Sequence, residues 1–110
     1  MKSKINVGVI FGGRSVENEI SVITAQQAMA AIDTDKYDIT PIYISKQGRW
    51  YTGQALMRSD NYKDMNRLYA SCDEVYLRPV YGDNRLYKVR KPLFGSDVAA
   101  TLDVILPALH

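Results

Sequence analysis

The run Ile5-Asn6-Val7-Gly8-Val9-Ile10-Phe11 breaks into Gly12-Gly13, and it constrains the fold more than any other stretch. It is β-branched or apolar at almost every position, the pattern of a strand buried on both faces of a parallel sheet. From Val16 to Ile32 there is neither Gly nor Pro, and stepping about 100° per residue predicts a helix. Val16, Ile20, Ile23, Ala30 and Ala31 fall on one side of it, and Val22, Ala25, Met29 and Ile32 on the other. After a polar turn, Tyr37-Asp38-Ile39-Thr40-Pro41-Ile42-Tyr43-Ile44 reads as a second strand, with Pro41 confined to a position where its missing N–H does no harm. Strand, helix, strand is a right-handed βαβ unit. The expected fold class is α/β, a Rossmann-like domain with a parallel sheet. Two apolar stripes on one helix imply two neighbours. With Val16, Ile20 and Ile23 assigned to the sheet, the stripe Val22, Ala25, Met29 and Ile32 is left to meet another domain or a two-fold related copy.

Further along, Gln47-Gly48-Arg49-Trp50-Tyr51 reads as a turn into a short strand. Val75 to Val89, broken by Gly82-Asp83-Asn84, reads as an inserted β-hairpin. Between them, Ala55 to Ala70 is polar and weakly periodic, with a short helix around Met65-Asn66-Arg67-Leu68. Leu102-Asp103-Val104-Ile105-Leu106 is another strand, ended by Pro107.

At 110 residues and 46% hydrophobic, the chain supports one modest core, so residues 1–110 are read as one domain. Fourteen Lys and Arg against twelve Asp and Glu call for neither a nucleic-acid nor a membrane partner. Cys72 is the single cysteine, which excludes an intramolecular disulfide and fits a reducing, cytoplasmic compartment. The apolar run after Lys2 and Lys4 is too short for a signal-peptide core or a membrane span.

The stretch Phe11-Gly12-Gly13-Arg14-Ser15-Val16-Glu17-Asn18-Glu19-Ile20-Ser21 supports two readings. In one, the glycines make a tight turn, Ser15 caps the helix, and Glu17 and Glu19 complement its dipole. In the other it belongs to a ligand site, because open parallel sheets bind ligands at the carboxyl ends of their strands. The Gly12-Gly13 loop and the segment from Pro107 to His110 leave strands at that same end. Glu17 and His110 then face one crevice, although His110 taken alone is equally an ordinary surface histidine. A dinucleotide fingerprint lacks its third glycine, and no Gly-Lys-Ser/Thr phosphate loop is present. Arg85, Lys88, Arg90 and Lys91, interleaved with Tyr81 and Tyr87, form either the solvated face of a hairpin or an RNA-contacting ribbon with stacking aromatics.

Three segments in order carry a family resemblance. Ile10 to Ser21 resembles the opening motif of the D-alanine:D-alanine ligases of the ATP-grasp superfamily. Lys36 to Ile44 with Lys46-Gln47-Gly48-Arg49-Trp50 resembles their second strand and turn, and Asp103 to His110 resembles the segment before their Gly-Glu-Asp-Gly loop. The resemblance implies a pre-ATP-grasp N-terminal domain, with central and C-terminal ATP-grasp domains following. It also implies the activity. ATP and Mg²⁺ phosphorylate the carboxylate of one D-alanine, and the amine of a second attacks the acyl phosphate, giving the dipeptide for peptidoglycan synthesis.

By the same resemblance, Glu17 matches the glutamate that holds the first D-alanine's ammonium group. His110 matches the histidine near that substrate's reacting end. Gly12 and Gly13 then keep backbone bulk away from the substrate. The residues that bind ATP and Mg²⁺ lie beyond residue 110, so residues 1–110 alone are expected to be inactive and to bind neither. A homodimer is expected of the whole enzyme. The loop that selects the second substrate also lies beyond residue 110, which leaves ligases of D-alanine with D-lactate or D-serine open. A non-catalytic small-molecule or RNA-binding module is the alternative of another class.

Overall fold

The computed structural model describes residues 4–14 and 18–108. Its elements run β1 (Ile5–Gly12), α1 (Asn18–Ala31), β2 (Tyr37–Ile44) and β3 (Trp50–Thr52), then two short 3-10 helices (Gln54–Met57 and Ser59–Lys63). They continue with α2 (Met65–Ala70), β4 (Asp73–Leu77), β5 (Arg85–Lys88), β6 (Val98–Thr101) and β7 (Val104–Pro107). All the described strands form one sheet of order β6-β5-β4-β3-β2-β1-β7. The expected parallel part is there, with β1 between β2 and β7 and parallel to both. The hairpin does not stand apart, because β3, β4, β5 and β6 continue the same sheet through antiparallel ladders. Pro41 sits one residue before the stretch of β2 that pairs with β3, so its missing N–H breaks no rung of that ladder.

The connection between β6 and β7 rolls the sheet. These strands lie at opposite ends of the strand order, yet only Leu102 and Asp103 separate them, and three Cα steps span at most about 11 Å. Both sides of the sheet are tied at this corner. The Leu102 N–H donates to the Asn84 carbonyl at 2.9 Å and Asn84 Nδ2 donates back to the Leu102 carbonyl at 2.7 Å. Asp103 N–H donates to the Asn6 carbonyl at 2.8 Å, and Asn6 N–H to Asp103 Oδ2 at the same distance. Inside the roll lie Ile10, Ile42, Val75, Leu86 and Leu102. Leu102 packs where Gly8 has no side chain, since a Cβ there would come within 3.0 Å of it.

The other face of the sheet carries Val7, Val9, Phe11 and Tyr43, covered by α1 and by the segment 54–70. That segment is a structural cover, not a surface addition, and buries Leu56 and Leu68. Phe11, Tyr43 and Tyr62 meet ring against ring, with centroids 5.6 to 6.5 Å apart. Helix α1 presents the face opposite to the expected one. Val22, Ala25 and Met29 are buried against the sheet, and Ile32 packs beside them, while Ile20 and Ile23 are 53% and 59% exposed. The small side chains of Ala25 and Ser21, neither with exposed surface, let the helix approach closely, and Asn18 and Ser21 find backbone partners there. Val16 lies outside the described residues.

Candidate functional site

The carboxyl ends of β1, β2 and β7 converge, because all three strands run the same way. Gly12 and Gly13 leave β1 with φ of 90° and 110°, a region that favours glycine. A Cβ on Gly12 would sit 2.3 Å from the Ile44 carbonyl oxygen and 2.8 Å from the Tyr43 ring. The glycine is required by the close approach of β2. Gly13 N–H then donates to that same Ile44 carbonyl at 2.8 Å.

Two buried polar side chains of α1 fasten this junction. Asn18 Nδ2 donates to the Gly13 carbonyl at 2.7 Å and to the Ile44 carbonyl at 3.2 Å, and its Oδ1 accepts from the Tyr43 hydroxyl at 2.7 Å. Ser21 Oγ accepts from Gly12 N–H at 2.9 Å and donates to the Ala108 carbonyl at 2.6 Å. Ala108 N–H donates to the Ile10 carbonyl at 2.7 Å, so the chain leaving β7 is held against β1. Sequence reasoning did not single out Asn18, Ser21 or Tyr43. The available signal was two polar residues spaced three apart on a face that continues as Val22, Ala25 and Met29.

Of the candidate residues, Gly12 and Gly13 lie at this junction. Ser15, Glu17 and His110 lie outside the described residues. Glu19 is exposed and accepts a 2.7 Å hydrogen bond from Lys46 Nζ, which holds its carboxyl below the usual carboxylate range. Beside the junction a cavity of about 540 Å³ opens between α1 and the segment 54–70, with Asn18 and Tyr43 in its wall. Burial pushes the Tyr43 phenol up to about 12, with the neighbouring Tyr69 adding to it, and raises Tyr62 further. At neutral pH these phenols act as hydrogen-bond donors and not as bases. Burial, with Asp73 adjacent, likewise lifts Cys72 to about 11, which keeps it a thiol. On the basic hairpin the Tyr87 ring is covered by Tyr76 and by the Arg78 guanidinium 3.7 Å from its centroid, so its faces are taken by protein.

Among the described residues no three His, Cys, Asp or Glu side chains come together to hold a metal ion. No helix among them is long and apolar enough to cross a membrane.

A seven-stranded α/β sheet whose parallel strands β2, β1 and β7 are clamped to α1 at their carboxyl ends is of the Rossmann-like class. Residues 6–110 match the family described as D-ala D-ala ligase N-terminus, and the chain belongs to that family. A D-alanine–D-alanine ligase of Chlorobium limicola is 32% identical over 111 residues, covering 98% of this chain and 30% of that protein. One of Thermosipho melanesiensis is 52% identical over 64 residues, covering 58% of this chain and 18% of that protein. The solved D-alanine–D-alanine ligase of Coxiella burnetii superposes with a TM-score of 0.76 at 24% identity, over 99% of this chain and 29% of that one. The VanG D-Ala:D-Ser ligase of Enterococcus faecalis gives 0.74 at 24% identity, over 98% and 29%. The chain therefore spans about 30% or less of the length of these relatives.

Proposed function

We propose that this chain is the N-terminal, substrate-holding part of an ATP-dependent ligase that joins two D-alanines for peptidoglycan synthesis in the cytoplasm. The observation that supports it most is the convergence at Ser21. From Gly12 the chain reaches Glu17 in five residues, from Ala108 it reaches His110 in two, and one hydroxyl joins Gly12 to Ala108. Glu17 would accept hydrogen bonds from the ammonium group of the first D-alanine. His110 would donate toward the negative charge that develops at that substrate's reacting end. Gly12 and Gly13 shape the floor of the loop. ATP and Mg²⁺ belong to central and C-terminal domains beyond residue 110.

The test is the full-length protein with ATP, Mg²⁺ and D-alanine, followed by ADP release and by chromatography of the dipeptide. D-alanine-dependent ADP release with D-alanyl-D-alanine as product is expected. Absence of that release overturns the reading, and a product containing D-serine or D-lactate in a competition mixture reassigns the second substrate. The exposed Ile20 and Ile23 on α1 support a contact with a second copy, and the full-length protein is expected to be a homodimer.

A further inference from the structure

Ser21 stands on a face of α1 that otherwise buries Val22, Ala25 and Met29, and it has no exposed surface. A hydroxyl there loses its hydration, a cost offset only if its donor and acceptor capacity are both used. Both are used, and by different segments. Gly12 N–H donates to it at 2.9 Å from the end of β1, and it donates at 2.6 Å to the Ala108 carbonyl, 87 residues away. The β1–β7 ladder already ends with Ile10 beside Pro107, and the Ala108 N–H to the Ile10 carbonyl follows it. The Ala108 carbonyl is therefore the group that sets how the chain departs from β7. The Gly12 N–H ties the same hydroxyl to the end of β1, where the Gly13 N–H on the Ile44 carbonyl and Asn18 Nδ2 on the Gly13 carbonyl hold the departing loop.

We propose that Ser21 is a positioning residue of the ligase site: through one hydroxyl it fixes the separation and relative orientation of the two backbone segments that lead to Glu17 and His110. This rests on the ligase reading above. A displacement of about 1 Å between groups that grip one small substrate costs on the order of a hundredfold in rate. Packing alone does not need the hydroxyl, since Ala fills nearly the same volume.

The experiment compares Ser21→Ala with Met29→Ala in the full-length protein, both assayed well below their melting temperatures. Met29 is buried in the same helix face but touches neither segment through a polar group, so Met29→Ala reports destabilisation without loss of positioning. The expected result for Ser21→Ala is a fall in kcat/KM for D-alanine of about tenfold or more, with KM for ATP within about twofold of the parent. Met29→Ala, although it melts at least as much lower, is expected to keep kcat/KM within about threefold. If the two variants lose activity in proportion to their loss of melting temperature, Ser21 is only a structural bond and the proposal fails while the ligase reading stands. If the parent protein releases no ADP in response to D-alanine, both fail together.

Discussion

The hydroxyl of Tyr43 donates a 2.7 Å hydrogen bond to Asn18 Oδ1, joining residues 25 apart in sequence and leaving the two amide hydrogens of Asn18 for the Gly13 and Ile44 carbonyls. Asn18 is 2% exposed and Tyr43 3% exposed, so each bond is made away from water. Tyr43→Phe is expected to lower stability by about 1 kcal/mol, the ordinary worth of one neutral hydrogen bond. Asn18→Asp keeps the shape and the acceptor but turns a carboxylate oxygen toward two carbonyls. It is expected to cost more, about 3 kcal/mol, unless the acid takes up a proton. Urea unfolding of both variants checks the order, and equal losses would mean that the carbonyls find other donors.

Gly12 and Gly8 are both in β1, and alanine should be tolerated unequally. At Gly8 a new Cβ meets the Leu102 methyls at 3.0 and 3.2 Å, atoms that can yield. At Gly12 it meets the Ile44 carbonyl oxygen at 2.3 Å, on a backbone with φ of 90°. Gly12→Ala is therefore expected to lose at least about 2 kcal/mol, and more than Gly8→Ala. Thermal melting of the pair decides it, and a Gly8→Ala loss as large as that of Gly12→Ala contradicts the clash.

The two faces of α1 make opposite predictions for the same kind of change. Met29→Ala removes a buried side chain and should cost about 2 to 5 kcal/mol of folding stability, whereas Ile23→Ala, exposed within the chain, should leave the folding of the domain within about 0.5 kcal/mol and act only on association. A paired substitution of Ile20 and Ile23 by Lys should shift the sedimentation of the full-length protein from dimer toward monomer while leaving its fold intact. A dimer that survives both lysines places the contact elsewhere.

What was legible in the sequence follows from how local the cause is. β1, α1 and β2 were readable because an apolar run, a glycine break and a Gly- and Pro-free stretch are local signals, and β2 falls at Tyr37–Ile44 as read. β6 was not, because Val98 to Thr101 is short and half-exposed and exists through pairing with β5. The roll of the sheet was hidden for the same reason, since it depends on Asn84 and Asn6 meeting at the Leu102–Asp103 corner. The buried face of α1 was misassigned because hydropathy leaves Asn18 and Ser21 out of any apolar stripe. Their place inside depends on backbone groups of β1, β2 and the β7 exit.

Asp83 carries a pH dependence that can be isolated. The Tyr87 hydroxyl donates to its Oδ2 at 2.7 Å and Arg85 Nε to its Oδ1 at 3.2 Å, and together they hold the carboxyl at about 2 against an ordinary 3.8. A carboxyl lowered on folding adds stability that is fully present above its unfolded value and is lost as pH falls through its folded one. The melting temperature of the parent should thus exceed that of Asp83→Asn at pH 5, and the gap should close between about pH 4 and pH 2. A gap that is unchanged across this window means that the charge of Asp83 does not matter.

Glu17 and Glu19 separate the catalytic account of the loop from the capping account. Glu19 is paired with Lys46 across exposed surface, and such pairs are worth about 0 to 1 kcal/mol. Glu19→Gln should therefore change melting and ligase kinetics little. If Glu17 served only the helix dipole, Glu17→Gln would behave the same way, with a loss of at most about 1 kcal/mol and nearly full activity. If it holds the ammonium group of the first D-alanine, the amide keeps the shape and removes the charge, leaving a desolvated cation without its partner. Losing one member of a buried charge pair costs about 2 to 5 kcal/mol, so kcat/KM for D-alanine should fall at least about thirtyfold. Dipeptide formation by the full-length protein, with melting measured in parallel, reads both quantities. Small and equal effects from the two substitutions would return Glu17 to the helix start and leave the substrate's ammonium group to be held by another residue.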